Sequence, residues 1–445
     1  MPDVMAIAGA VVGVLVSTIL VRWRFDPLHI GSTKLPVRSF KKVTRRVFRV
    51  SLPDQWIVII SGADMNDELR KIPDSHASFQ MAVDELTSTR YTISESFVDH
   101  PIQVTAIRGP LTKHLAVVLD TIGSKMHGEE WMSVNVLMAM AVIISRASNC
   151  VFVGLPSYRT DSTSSTRRNE GYLQGVRQLT FDVRKGRLVL GWSPRYLKGI
   201  VGWFIPWARR AARKVSVYLR PIIKERQRKL QDMGKNWIDK PNDYLMWVMD
   251  EANRQGVPTK NIIDSIMVSN VTAIHTLSNS ITQAVYQLAD SPEYATMLRE
   301  EVENVVKEHG WTKVSMGKMR KLESFMRESQ RINVSVMRKI LKDVTLSNGT
   351  SIPAGTVVVG ASTATHCDAR NHENPEVFDP LRFAETHTEE GEAIKHHFVS
   401  TSPDPGRSFA ANELKVMMAY ILLHYDIKLE GNGRRPEHQF RSSSR

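Results

Sequence analysis

Cysteine is nearly absent: Cys150 and Cys367 are the only two in 445 residues. Two cysteines cannot build a disulfide framework, and neither stands in the C-x-x-C spacing that holds zinc, so a reducing compartment is the natural setting. The run His366-Cys367-Asp368 is rich in ligand types, but neighbours in an extended segment point to opposite sides and do not close on one ion. Negative charge is also short, with 46 Asp and Glu against 59 Lys and Arg, a net +13. That excess suits nucleic acid, an anionic membrane surface or an acidic protein. Nucleic acid is the weakest of the three, because no finger, basic-zipper or RNP-type motif accompanies the basic clusters. Those clusters, "KKVTRRVFR" (Lys41 to Arg49), "RRAARK" (Arg209 to Lys214) and "KERQRK" (Lys224 to Lys229), lie on amphipathic segments. They read as solvated or membrane-facing helix faces.

Hydrophobic residues make up 42% of the chain and aromatics 7%, which indicates a globular protein with a sizeable core. The run "VMAIAGAVVGVLVSTILV", the 18 residues Val4 to Val21, carries no charge. As a helix it just crosses a bilayer core. Asp3 precedes it and Arg22, Trp23 and Arg24 follow, the reverse of a cleaved signal peptide, so residues 1–21 read as an uncleaved anchor. The two arginines place the rest of the chain on the cytosolic side and Trp23 at the interface. The sequons at Asn270, Asn333 and Asn348 then face the cytosol and stay unmodified.

After a short linker, residues 22–47, the stretch "VFRVSLPDQWIVIISG" (Val47 to Gly62) alternates around Pro53-Asp54 and predicts a hairpin. From about Asp84 to Leu341 the apolar period is near 3.6, interrupted at Pro101, Pro110, Pro156, Pro194, Pro206, Pro241 and Pro258. "VTLSNGTSIPAGTVVVG" (Val344 to Gly360) returns to strand, turning at Asn348-Gly349. There is no internal repeat and no clean boundary. One mainly α domain with small β-sheets, residues 48–430, is the economical reading, followed by a polar tail at 431–445. "GIVGWFIPW" (Gly199 to Trp207) is apolar between basic flanks and reads equally well as a membrane-dipping segment or an ordinary core segment.

Chemistry concentrates in the last third. In "ESFMRESQR" Glu328 and Arg331 share one helix face and can pair. About fifty residues on, "NPEVFDPLRF" (Asn374 to Phe383) brings Arg382, a second guanidinium able to complete a Glu-Arg-Arg network. Next comes "FVSTSPDPGRSFAANELKVMMAYILLHY" (Phe398 to Tyr425), a polar turn opening into a long helix.

With these motifs the chain resembles a fungal, membrane-anchored cytochrome P450, a haem-thiolate monooxygenase. Glu328 and Arg331 match the family's E-x-x-R, Arg382 matches the arginine of its "PERF"-type loop, and "AIHTLS" (Ala273 to Ser278) falls where its central helix activates oxygen. The resemblance implies the cytochrome P450 fold behind one transmembrane helix. It also implies haem, NADPH supplied through a separate cytochrome P450 reductase, a small hydrophobic substrate, and an endoplasmic reticulum location with the domain in the cytosol. "AIHT", "STSPD" and the final helix look closest to fungal enzymes of secondary metabolism that oxidise terpenoid or indole-terpenoid intermediates.

By the same resemblance Thr276 helps deliver protons to the oxygen-activating centre, and His275 stands where the family carries an acid. Thr276 can equally bond its own i−4 carbonyl, and His275 can equally be a satisfied core histidine. Arg338, Arg108, His114 and Arg407 are the implied haem-propionate and haem-edge residues, Arg338 foremost.

One part of the pattern is missing. The family's F-x-x-G-x-x-x-C-x-G loop, which ends in the cysteine that ligates iron, has no counterpart between Asp404 and Pro405. Asp404 occupies the vacant place as a harder, less donating ligand, and Cys150, Cys367, His396 and His397 are the other candidates. No metal ligand is assigned, and the chain is expected to be inactive. The shortened 22–47 linker and the tail beyond Leu429 are further clean losses. Skipped or mis-joined exons, or a decaying gene, would leave such a pattern, as would a non-catalytic protein that retains the pocket or the reductase surface.

Overall fold

The structure is a computed structural model that describes residues 47–52, 55–94, 102, 131–154, 163–193, 195–331, 336–384 and 407–431. Strands β1 (Val47–Ser51) and β2 (Trp56–Ile60) form the expected antiparallel hairpin. Helix α1 (Ala63–Lys71) leads to β3 (Ala77–Ser78), α2 (Phe79–Thr87) and the single turn α3 (Thr89–Thr92). The Ser78 hydroxyl caps α2 by accepting from the Met81 amide.

The helical body follows. It comprises α4 (Val136–Phe152), α5 (Thr163–Gly191), α6 (Lys198–Trp203), α7 (Pro206–Met233), α8 (Tyr244–Gln255), α9 (Thr259–Asp290), α10 (Glu293–His309), α11 (Lys313–Lys318) and α12 (Arg320–Arg331). Pro206 opens α7 and Pro258 caps α9, positions where a missing N–H costs nothing. Pro241 lies in the loop before α8, whereas Pro101, Pro110, Pro156 and Pro194 fall outside the described residues. Asn135, Asp243 and Thr312 cap α4, α8 and α11 through their side chains.

The helical period does not extend to Leu341 as the sequence suggested. Helix α12 ends at Arg331, and β4 (Met337–Ile340) is a strand whose inward residues Arg338 and Ile340 alternate with half-buried ones. Then come β5 (Val344–Thr345), β6 (Ser351–Ile352), β7 (Val357–Gly360), α13 (Ser362–His366) and α14 (Arg407–His424). The turn between β5 and β6 contains Gly349 at φ 80°, a left-handed conformation that suits glycine. The larger sheet runs β1-β2-β7-β4-β3, with β2 and β7 parallel and the other pairs antiparallel. β5 and β6 pair separately, because the chain turns at Gly355 and hands β7 to the larger sheet.

Two cores result. A small one joins the sheet to α1 through Ile60, Leu69, Ala77, Ile340 and Val358. The large one is built around α9, which contacts α4, α5, α7, α8, α12 and α14. Among the described residues no helix is long and apolar enough to cross a membrane. Val4 to Val21 lies outside them.

Candidate functional site

The i,i+3 spacing on α12 puts Glu328 and Arg331 side by side, and both are almost wholly buried. Arg331 grips the carboxylate with Nε to Oε2 at 2.8 Å and Nη2 to Oε1 at 3.1 Å. Its remaining donors reach the carbonyls of His366 and Pro375, each at 2.7 Å. From the Asn374–Phe383 loop, Arg382 Nε meets both Glu328 oxygens at 3.2 Å and spends its other nitrogens on the carbonyls of Glu373, Asn374 and Val377. The Asp379 amide adds a further donor to Glu328 at 3.2 Å. The structure therefore brings the three network residues together. Satisfied on every side, they fasten the loop to α12 and do no chemistry of their own.

Beside this network His366 and His372 face each other, Nδ1 to Nε2 at 3.5 Å, both buried. Burial, then the His372 and Arg331 charges, depress the His366 pKa to about 3, so this ring is neutral at physiological pH. Among the described residues no group of three potential ligands converges on a point. Cys367 follows α13 on this side of the molecule, and Cys150 lies inside α4; both are half-buried.

The central helix α9 is packed over most of its length, yet Thr272, His275 and Thr276 form an open strip on it. Thr276 Oγ1 donates to the Thr272 carbonyl at 2.8 Å, the back-bonded arrangement. His275 Nδ1 lies 3.3 Å from the Asn279 amide nitrogen, in a shallow cleft shared with Thr180, Phe181 and Arg184 of α5. Desolvation in that cleft, with the Arg184 charge adding, lowers the His275 pKa. Because the residue keeps an exposed surface, this is a bias towards the neutral ring and no more.

Arg338 is turned to the sheet side. Its guanidinium holds Asp74 Oδ1 at 2.7 Å and the carbonyls of Ala77 and Arg70 at 3.0 and 3.2 Å, leaving a buried Nε without a partner among the described residues. Arg108, His114, His396, His397, Asp404 and the side chain of Arg407 lie outside the described residues.

Helix α14, which follows the Asp404–Pro405 junction, is tethered along its length. Glu413 is buried against Ser148 of α4, Lys415 Nζ reaches Met316 O at 2.8 Å and Glu323 at 2.7 Å, and Arg299 of α10 donates to the carbonyls of Leu422 and Tyr425. These tethers were not anticipated from sequence. The one available signal was a Glu embedded in the apolar run "FAANELKVMMAYILL".

A family model described as Cytochrome P450 matches residues 165–443. The chain belongs to the cytochrome P450 family. It is 44% identical to Cytochrome P450 monooxygenase 71 of Postia placenta, over 96% of this chain and 93% of that protein. It is equally close to Cytochrome P450 monooxygenase 110 of the same fungus, and 31% identical to a cytochrome P450 monooxygenase of Ganoderma lucidum over 98% of this chain and 93% of that one. The alignment with the first spans 474 positions against the 445 residues of this chain, so that relative has residues where this chain has none.

Membership implies haem, and the residues can be tested against it. The open strip of α9 offers a polar, uncovered surface. The donor set does not fit: the chain has no cysteine after Cys367, and neither of its two cysteines stands immediately before α14. Thiolate ligation needs a sulfur aimed at the iron.

Proposed function

We propose that this chain is a non-catalytic form of a fungal cytochrome P450 monooxygenase whose active counterparts oxidise a hydrophobic, terpenoid-like intermediate of secondary metabolism. It is held by Val4 to Val21 in the endoplasmic reticulum membrane as a single-pass protein, domain in the cytosol, and it keeps the surface that meets the family's reductase. The supporting observation is the absence of any cysteine after Cys367, beside a frame that is otherwise retained in the Glu328-Arg331-Arg382 network and in α14. A carboxylate such as Asp404 is a harder and less donating ligand than a thiolate, so it does not take over the sulfur's role. The reduced-CO difference spectrum of the expressed chain tests this reading. No thiolate-type band is expected, and such a band would overturn it.

A second reading has an observation of its own: alignment positions filled in the Postia placenta relative are empty in this chain. On that reading an active enzyme exists whose loop is missing from this sequence. Transcript sequencing across the Asp404–Pro405 junction separates the two, because an active form requires inserted coding sequence there.

A further inference from the structure

The cleft beside His275 joins three helices and carries groups of two kinds. Ala141 of α4, Phe181 of α5 and Ile274 of α9 give it an apolar wall. Arg184 of α5 stands with His275 and Asn279 of α9 at its polar side, and among the described residues no Asp or Glu lines it. The hydroxyls of Thr180 and Ser278, also in the lining, spend their protons on the Val176 and Ile274 carbonyls of their own helices. They leave a ligand no donor.

Arg184 leaves several. Along α5, Arg177 pairs with Glu170 and Lys185 with Asp182, whereas the exposed Arg184 meets no acid and no hydrogen-bond acceptor among the described residues. His275 adds one more donor. The Asn279 amide nitrogen, which can only donate, bonds the His275 carbonyl at 2.7 Å and lies 3.3 Å from His275 Nδ1. An Nδ1 that accepts leaves the proton of the neutral ring on Nε2.

An apolar wall, a guanidinium fork and a ring N–H together suit a molecule that is hydrocarbon for most of its length and ends in a carboxylate, whose two oxygens match the planar fork of arginine. A diphosphate would bring more negative charge than one guanidinium balances. A neutral alcohol would leave that guanidinium without an anion.

We propose that the cleft between α4, α5 and α9 binds an apolar monocarboxylate, its anionic end on Arg184 and His275 Nε2 and its hydrocarbon against Ala141, Phe181 and Ile274. This rests on the reading above of a non-catalytic chain related to enzymes of a hydrophobic, terpenoid-like molecule, and it gives that molecule a carboxylate.

The test uses the full chain in phosphatidylcholine nanodiscs and equilibrium dialysis at neutral pH, with the uptake by empty discs subtracted. Two probes share one hydrocarbon body: abietic acid, ionised under these conditions, and its uncharged methyl ester. Hydrogen bonds to a charged partner are the stronger kind, so the acid should bind about tenfold tighter than the ester or more. Arg184→Gln, folded by circular dichroism, should erase that preference and leave ester binding unchanged. Arg184→Lys should keep part of it, and His275→Phe should reduce it by less than Arg184→Gln does. Equal binding of acid and ester overturns the anion selection, and a preference that survives Arg184→Gln overturns the assignment to this cleft. Binding of neither probe overturns the site itself. Oxidation enters none of these arms, so a thiolate-type CO band would sink the non-catalytic reading while the dialysis result still decided the carboxylate site.

Discussion

The Ser148 hydroxyl lies 3.0 and 3.3 Å from the two carboxylate oxygens of Glu413, joining α4 to α14 across 265 residues of sequence. Glu413 has no exposed surface, and burial pushes its pKa up to about 8, with the Ser148 hydrogen bond opposing in part. The carboxyl group is therefore largely protonated at neutral pH, and a neutral acid is what one hydroxyl partner can satisfy.

A pH dependence follows from that pair. The unfolded chain releases this proton near the ordinary value of 4.5, and the folded chain near 8. The folded state thus binds more protons between those values, so the contribution is complete below 4.5 and is lost as pH rises towards 8. Thermal melts from pH 5 to 9 should show falling stability with a span on the order of a few kcal/mol. Glu413→Gln should flatten the fall. An unchanged slope in that variant would assign the dependence to another group.

The Glu328 network makes a second prediction. Arg331→Ala leaves a buried carboxylate with weakened compensation, and breaking a buried pair in this way costs roughly 3–5 kcal/mol. Arg382→Ala removes the less buried partner and should cost less. Urea denaturation measures both; an Arg331→Ala loss below that of Arg382→Ala would contradict the ranking.

Arg226 and Asp243 supply the third. The guanidinium makes two bonds of 2.6 Å to the carboxylate and a third, 3.3 Å, to the Val153 carbonyl, while Asp243 also caps α8 through the Met246 amide. Asp243→Asn keeps a capping oxygen and loses the ion pair; Asp243→Ala loses both. The Ala variant should be the less stable by about 1 kcal/mol, the usual worth of a cap. Hydrogen exchange in the first turn of α8 should accelerate in the Ala variant.

How much of this was legible depends on the range of each contact. The β1–β2 hairpin and the Glu328–Arg331 pair follow from period-2 alternation and i,i+3 spacing, which are local rules. Arg382 could be named as a second guanidinium able to complete the network, but nothing in its own segment points to the carboxylate on α12 in particular. The strand β4 was hidden because four residues are too few for a period to stand out from the helical run before it. For Ser148–Glu413 the one local sign is a Glu set in an apolar run, which names no partner. Arg338 entered through resemblance, as a haem-propionate partner, and nothing local in "VMRKI" announces the partners the sheet gives it, Asp74 and two backbone carbonyls.

The last prediction concerns the junction before α14. Asp404 stands three residues ahead of Arg407, the first residue of that helix, and a helix N-terminus favours an ionised sulfur. Asp404→Cys therefore supplies the sulfur but, on the reading proposed above, not the family's glycine-bearing approach. Metal sites tolerate errors of only about 0.2 Å in bond length. The single substitution should give no thiolate-type CO band after haem is offered, whereas inserting a complete F-x-x-G-x-x-x-C-x-G segment between Asp404 and Pro405 should restore the band at least in part. The tethers on α14 make the insertion an informative arm, because Glu413, Lys415 and Arg299 fix that helix by contacts that do not involve the loop. A band from Asp404→Cys alone would show that the short loop already reaches the iron, and would move the defect from loop length to the missing sulfur.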